Sequence, residues 1–305
     1  MTTTALIPDT PAPAPAPASA LYPAPAPSSA VATALAPAVR EDPGPPDFTL
    51  APGRADMWLV RRPTGEAAEA LAREELDERE RERAAAFIRP ADGILYAAAH
   101  VALRRIIARY TANAPQDVRF MREPCPDCGG SHGRPAVAPP PPPLHFSLSH
   151  SGGIALVGVA SVPLGVDVEK LPGAETIEIC SRALHPEEQE ELAAAEPGEA
   201  RRELFGRIWT RKEAYLKGLG TGLSRPPSED YVGTDTGRHP EGWTMVGIPC
   251  DPTHAAAAAV RGPAPGVVDV RWVPDAWLSS GPGTGDAVFA PAPDAMTRRR
   301  DDVMT

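Results

Sequence analysis

The sequence predicts a mixed α/β fold of the α+β type, built as two similar, pseudo-symmetric lobes with a site between them. Two observations predict it. Short β-type runs ("MWLVRR", "HFSLS", "IALVGVA", "LGVDVEK", "GWTMVGIPC", "HAAAAAVRG", "VDVRWVP") are interspersed with longer helix-period stretches. A strand, helices and further strands also recur on both sides of Leu164, although the two halves share no alignable sequence. The ends differ in composition. Pro/Ala repetition from Pro8 to about Pro46 cannot bury enough apolar surface to offset the entropy of ordering it, and the last residues are Gly/Pro-rich and then charged. The expected organisation is a disordered Pro/Ala arm over 1–47, an N-terminal lobe over 48–163, a C-terminal lobe over 164–278 and a disordered tail over 279–305.

Within the lobes, "MWLVRR" reads as the first strand. Glu66 to Phe87 reads as one helix, with Glu75/Arg79 and Asp77/Arg81 as i,i+4 pairs on a solvated face. "ILYAAAHVALRRIIARY" places Leu95, Ala99, Leu103, Ile106 and Tyr110 on one side, as a core-facing helix does. "DVRFM" follows as a strand, and then a Cys/Gly/Pro loop runs into Pro139–Pro143. Three strands come next, separated by the turn signals "HSGG" and "SVP". "HPEEQEELAAA" starts a helix with an early Pro186 and acids in its first turn. A second helix spans about Arg202 to Leu216, before the last three strands.

Forty acidic residues against 30 basic ones give a net charge of −10, which argues against a nucleic-acid partner. No apolar run reaches the ~18 to 20 residues that a membrane helix needs, and the first basic residue is Arg40, so no secretory signal is read. A soluble, cytoplasmic, monomeric protein is expected. Cys125, Cys128, Cys180 and Cys250 are too few for a disulfide framework, so reduced thiols are expected.

Three segments carry candidate chemistry. In "PLGVDVEKL", strand alternation puts Asp167 and Glu169 on one face about 7 Å apart, a repulsion that a hard cation such as Mg²⁺ would relieve; the alternative is an ordinary solvated strand face. In "WTRKEAYLK", Glu213 is the i,i+4 neighbour of both Trp209 and Lys217. Six cations (Arg201, Arg202, Arg207, Arg211, Lys212, Lys217) face three acids (Glu199, Glu203, Glu213), which suits a local anion site as well as an ordinary surface pair. In "HFSLSHSGG", Ser147, Ser149, Ser151 and His150 offer phosphate donors or form a polar hairpin turn, and no G-x-S-x-G elbow is present. A fourth segment, "CPDCGGSHGRP", holds Cys125, Cys128 and His132. A lone C-x-x-C without a second half is a weak zinc signal, so zinc is expected to be absent or substoichiometric. Cys180 and Cys250 read as small buried hydrophobes.

Taken together, "FSLSHSGG", "LGVDVEK" and "FGRIWTRKEAYLKGLGTGL" resemble, in order, spacing and residue type, the signature blocks of the 4′-phosphopantetheinyl transferases. The resemblance is to the larger two-lobed kind that acts on peptide- and polyketide-synthase carriers, and it covers about Ala67 to Val232. It implies transfer of the 4′-phosphopantetheine arm of coenzyme A to a serine of an apo acyl or peptidyl carrier protein, the holo-[acyl-carrier-protein] synthase reaction, with release of adenosine 3′,5′-bisphosphate. It implies Asp167, Glu169 and Glu213 as Mg²⁺ ligands, and Ser149, His150, Lys212 and Lys217 as coenzyme A contacts. Asp167, Glu213 and Lys217 would carry catalysis, with Glu213 as the proton acceptor. Arg83 and Arg89 sit where the coenzyme's 3′-phosphate is met. Gly93 and Leu95 replace arginines that many members have, so that contact is expected to be partly lost or moved to Arg104. The rival readings are another Mg²⁺-dependent phosphoryl or nucleotidyl transferase, and a non-catalytic carrier-binding protein of the same fold.

Overall fold

Alternating and all-apolar runs become strands, and the two long helix-period runs become the two long helices. The computed structural model describes residues 38–139 and 143–280. In chain order the elements are β1 (Ala38–Glu41), β2 (Arg54–Arg61), α1 (Glu66–Glu69), α2 (Glu78–Ala85), α3 (Pro90–Thr111), β3 (Phe120–Arg122), β4 (Pro135–Val137), β5 (His145–Ser151) and β6 (Ile154–Ala160). They continue with β7 (Leu164–Lys170), α4 (Ala174–Cys180), α5 (Pro186–Ala194), α6 (Glu199–Leu219), β8 (Trp243–Gly247), β9 (His254–Arg261) and β10 (Val267–Val273).

One structural unit occurs twice. β2, α3, β5 and β6 form the first copy, with strands side by side in the order β2-β6-β5; β7, α6, β8 and β9 form the second, in the order β7-β9-β8. In both, the last strand lies between the other two and every pairing is antiparallel. This is the expected mixed fold with its internal pseudo-symmetry. β10 follows the second copy in the chain yet pairs in parallel with β2, and β1 pairs in parallel with β10. Strand β1 lies inside the stretch expected to be unstructured. It is held there by backbone pairing and by the Arg40 guanidinium, which donates two hydrogen bonds, 2.6 and 2.8 Å, to buried Asp269. The rest of the expected arm, 1–37, and the tail from 281 lie outside the described residues.

Side-chain alternation along β2 builds two cores. Trp58 and Val60 face α3, where they meet Leu95, Ile106 and Trp277. Met57 and Leu59 face the second sheet and meet Leu156, Val166, Val168 and Ala258. The strand is therefore buried on both faces, as its apolar run requires. The alanine run of β9 is short of β-formers, but its small side chains let α6 approach the second sheet closely. The approach is tightest over β7. A Cβ on Gly165 would lie 2.0 Å from the Ala214 carbonyl oxygen and 2.3 Å from the Gly218 nitrogen, so only glycine fits there. Helix α6 ends at Gly220, whose φ of 85° supplies the left-handed cap.

The single helix expected from Glu66 to Phe87 is broken. Asp77 and Glu80 form a capping box that starts α2 afresh, while Leu71, Ala72 and Leu76 turn into the core. The acids expected in i,i+4 pairs serve distant partners instead: Glu75 binds Arg105 at 2.7 Å, and Asp77 receives Arg104 at 3.0 Å.

Glu188, fully buried, ties three segments together. Its oxygens accept from the His185 nitrogen at the start of α5, from the Val232 nitrogen at 2.6 Å and from Lys212 Nζ of α6 at 2.9 Å. Removing one partner of such a pair leaves an uncompensated buried charge, so Glu188→Ala is expected to cost about 3 to 5 kcal/mol in urea unfolding. Glu203→Ala, at an exposed pair with Arg207, should fall within about 0.5 kcal/mol.

Candidate active site

Strand β5 runs beside β7, and serine side chains join the two. Alternation puts Ser147, Ser149 and Ser151 on one face of β5. Ser147 Oγ accepts from the Val166 nitrogen at 3.1 Å, Ser151 Oγ accepts from the Lys170 nitrogen at 3.3 Å, and Ser149 Oγ donates to Asp167 Oδ1 at 2.7 Å. The hydroxyls therefore stitch the first sheet to the second. Asp167 is 1% exposed. Its Oδ1 also accepts from Lys217 Nζ at 2.6 Å, and Lys217 in turn donates to Ser149 Oγ at 3.0 Å. Its Oδ2 is buried with no hydrogen-bond partner among the described residues.

Glu169 follows two residues along the same strand, and Glu213 lies one helical turn before Lys217 on α6, both half-buried. Burial pushes the Glu213 carboxyl above its usual range; Asp167 pushes the same way and Lys217 opposes. Burial raises Glu169 too, against a hydrogen bond from Ser151, with Asp167 and Glu213 adding to the rise. Three carboxylates thus feel one another across the β7–α6 junction with one lysine between them. A divalent cation fits this donor set: the oxygens are hard, their repulsion is only partly offset, and a buried oxygen waits unsatisfied. The three are not drawn into a tight cluster. Among the described residues, the only His/Cys/Asp/Glu trio with ligand atoms all within 4.8 Å of one another is Cys125, Cys128 and His132.

Lys217 also lines a cleft of about 970 Å³ whose walls come from α2 and α3 (Arg79, Arg83, Tyr96, His100), the β3–β4 hairpin (Arg122, Arg134) and β5 (Phe146, Leu148). Of its acids, Glu80 is already held by His100 at 3.1 Å and Arg104 at 2.6 Å. On a protein of net charge −10, this cleft is locally cationic. Exposed His150 lies at its edge, 6.0 Å from the Tyr96 ring, and its imidazole is held below the ordinary range by the surrounding protein and then by His100 and Lys217. Arg83 reaches a neighbouring hollow of about 550 Å³ that also holds Arg89 and Ile88, the latter 99% exposed.

The structure thus gathers Asp167, Glu169, Glu213, Lys217 and Ser149 around one junction, with His150 at the edge of the adjoining cleft, Arg83 on the cleft's α2 wall and Arg89 in the neighbouring hollow. It does not bring Lys212 there. That residue is 1% exposed and turned toward Glu188 and the Asp230 carbonyl, because one residue along a helix is a rotation of about 100° away from Glu213. Nor is Arg104 free to meet a phosphate: it is buried against Asp77, Glu80 and the Pro115 and Val118 carbonyls. An arginine at Gly93 has no room, since a Cβ there would lie 2.3 Å from the Ala84 carbonyl oxygen. Leu95 belongs to the core. Sequence reading missed Tyr96, His100, Arg122 and Arg134 as cleft residues. The hairpin pair had no local signal, because Arg134 is placed by Glu123 and by the Gly218 carbonyl at 3.1 Å, 84 residues away.

The fold and site define a class: an internally repeated α/β protein with an acidic, metal-type junction beside a cationic cleft. Residues 163–247 match the profile of the 4′-phosphopantetheinyl transferase superfamily. The 4′-phosphopantetheinyl transferase HetI of Nostoc sp. is 28% identical over 242 residues, spanning 77% of this chain and 96% of the relative. The 4′-phosphopantetheinyl transferase Sfp of Bacillus subtilis is 32% identical over 126 residues, 41% of this chain and 52% of the relative. The mouse L-aminoadipate-semialdehyde dehydrogenase-phosphopantetheinyl transferase is 28% identical over 187 residues, 57% of this chain and 54% of the relative. Among the described residues no helix is long and apolar enough to cross a membrane.

The raised carboxyls carry a stability consequence. A native pKa above the unfolded one means that the folded protein binds more protons between the two values, so metal-free stability falls as pH rises through that window. Glu213→Gln removes one of the repelling charges. In the presence of a chelator at neutral pH its Tm is expected to exceed that of the parent, and Mg²⁺ should raise the parent's Tm but not the variant's.

Proposed function

We propose that the chain transfers the 4′-phosphopantetheine arm of coenzyme A to a serine of apo acyl or peptidyl carrier proteins, giving holo carrier and adenosine 3′,5′-bisphosphate, a holo-[acyl-carrier-protein] synthase activity. The observation that carries this reading is Lys217, which touches Asp167 and at the same time lines the cationic cleft, so that a phosphate bound in the cleft would meet the acidic junction. The profile match over residues 163–247 and the names of the similar proteins support the same reading.

Asp167, Glu169 and Glu213 would hold Mg²⁺, which when bound supplies positive charge to stabilise the pyrophosphate oxygens. Lys217 adds a second positive charge at the junction, and Ser149 fixes its direction. His150 lies where the cleft opens, and Arg83 and Arg89 offer exposed guanidinium groups for the 3′-phosphate. The carrier's serine oxygen bonds to the β-phosphorus as the bridging P–O bond breaks, and adenosine 3′,5′-bisphosphate leaves with that bonding pair. Glu213, made more basic by burial and by Asp167, takes the serine proton. The carrier, like the cofactor, is met locally on a protein whose net charge would repel acidic partners elsewhere.

Incubation with coenzyme A, Mg²⁺ and a panel of apo carriers, read by intact mass, tests the reading; no added phosphopantetheine on any carrier sinks it. Glu213→Gln should lower turnover about 10² to 10⁴-fold. Asp167→Asn should be partly rescued by excess Mg²⁺, because its effect runs through the metal. Near-parent turnover of Glu213→Gln at high Mg²⁺ would reduce Glu213 to a ligand and move the base elsewhere.

A further inference from the structure

The loop between β3 and β4 brings together what its spacing alone left unconnected. The ligand atoms of Cys125, Cys128 and His132 all lie within 4.8 Å of one another, with Cys128 Sγ 3.0 Å from His132 Nε2. A tight turn sets this up: the Cys125 nitrogen donates to the Gly130 carbonyl at 2.7 Å and the Gly129 nitrogen to the Cys125 carbonyl at 2.8 Å, with Gly129 at a φ of 71°. That turn aims backbone N–H groups at the sulfurs. Gly130 donates to Cys128 Sγ at 3.4 Å, and Asp127 and Cys128 donate to Cys125 Sγ. Ringed N–H dipoles favour thiolates, the form that binds metal.

We propose that Cys125, Cys128 and His132 bind one Zn²⁺, with water in the fourth position on the side where Cys128 and His132 are exposed. Two thiolates and an imidazole suit zinc, whereas the oxygens of the acidic junction suit a hard ion, so the two sites select different metals. The loop's next residues explain what the metal would secure. Gly133 packs so closely on the Glu123 carbonyl that a Cβ would lie 2.3 Å from its oxygen, and Arg134 binds Glu123 and the Gly218 carbonyl at the end of α6. Residues 131–135 form one wall of the cleft. Zinc would therefore fix that wall against the helix that carries Glu213 and Lys217.

The test uses the full chain, reduced, stripped by a chelator and titrated with Co²⁺ and then Zn²⁺. One Co²⁺ per chain with a thiolate-to-cobalt charge-transfer band, displaced by one Zn²⁺ and indifferent to excess Mg²⁺, is the expected result. Cys128→Ser, at an exposed position, should lose the band while keeping the parent's circular dichroism, and His132→Ala should surrender zinc to a chelator that the parent withstands. A reduced, folded parent that shows no such band overturns the proposal. So does an unchanged band in Cys128→Ser. Recovery of Cys125 and Cys128 as a disulfide, with no zinc uptake after reduction, would identify a dithiol pair instead. None of these readouts involves coenzyme A or a carrier, so a failed transfer assay and a failed zinc titration are told apart.

Discussion

Asp167 is a carboxylate buried in the seam between two sheets, with one oxygen compensated by Ser149 and Lys217 and the other without a hydrogen-bond partner among the described residues. A buried charge of this kind is tolerated only if cations and donors are held against it. Much of the local architecture supplies them. Gly165 and Gly218 let α6 come within backbone contact of β7, and that contact sets Lys217 over Asp167 and Glu213 beside it. The serines of β5 do the same from the other side, so that the two sheets meet through the groups that steady the acid.

The duplication explains why the site sits where it does. The two copies share their strand order but differ in charge: α3 sends Arg104 and Arg105 into ion pairs with Glu80 and Glu75, whereas α6 sends Lys217 to Asp167 of β7 and sets Glu213 beside it. The cleft opens between them, and its cations come from α2, the β3–β4 hairpin and α6. Low-dielectric walls focus such a local field even when the net charge has the opposite sign.

Much of this was legible in the sequence because it depends on short-range periodicity. Two-residue spacing put Asp167 and Glu169 on one face, and four-residue spacing put Glu213 over Lys217. The apolar stripes of the two long helices and the β5–β7 strands follow from the same rules. What was not legible depends on distant partners. Strand β1 exists because Arg40 and Asp269 meet across 229 positions. The break after Glu69 exists because Leu71 and Ala72 pack in the core and Leu71 pairs with Ser279. Lys212 looked like a site residue because it stands in the motif, yet helical rotation alone sends it toward the buried Glu188. The serines of β5 looked like phosphate donors, and their first role is to hold β7.

The central claim is that the β7–α6 junction is a divalent-cation site assembled from Asp167, Glu169 and Glu213. Its most direct test is equilibrium binding of Mn²⁺, followed by loss of the free ion's electron paramagnetic resonance signal, with zinc present to occupy the thiols. The account predicts one Mn²⁺ per chain, tightened by coenzyme A, competed by Mg²⁺, and lost or greatly weakened in both Asp167→Asn and Glu213→Gln. Binding that is equal in the parent and in both variants would contradict it.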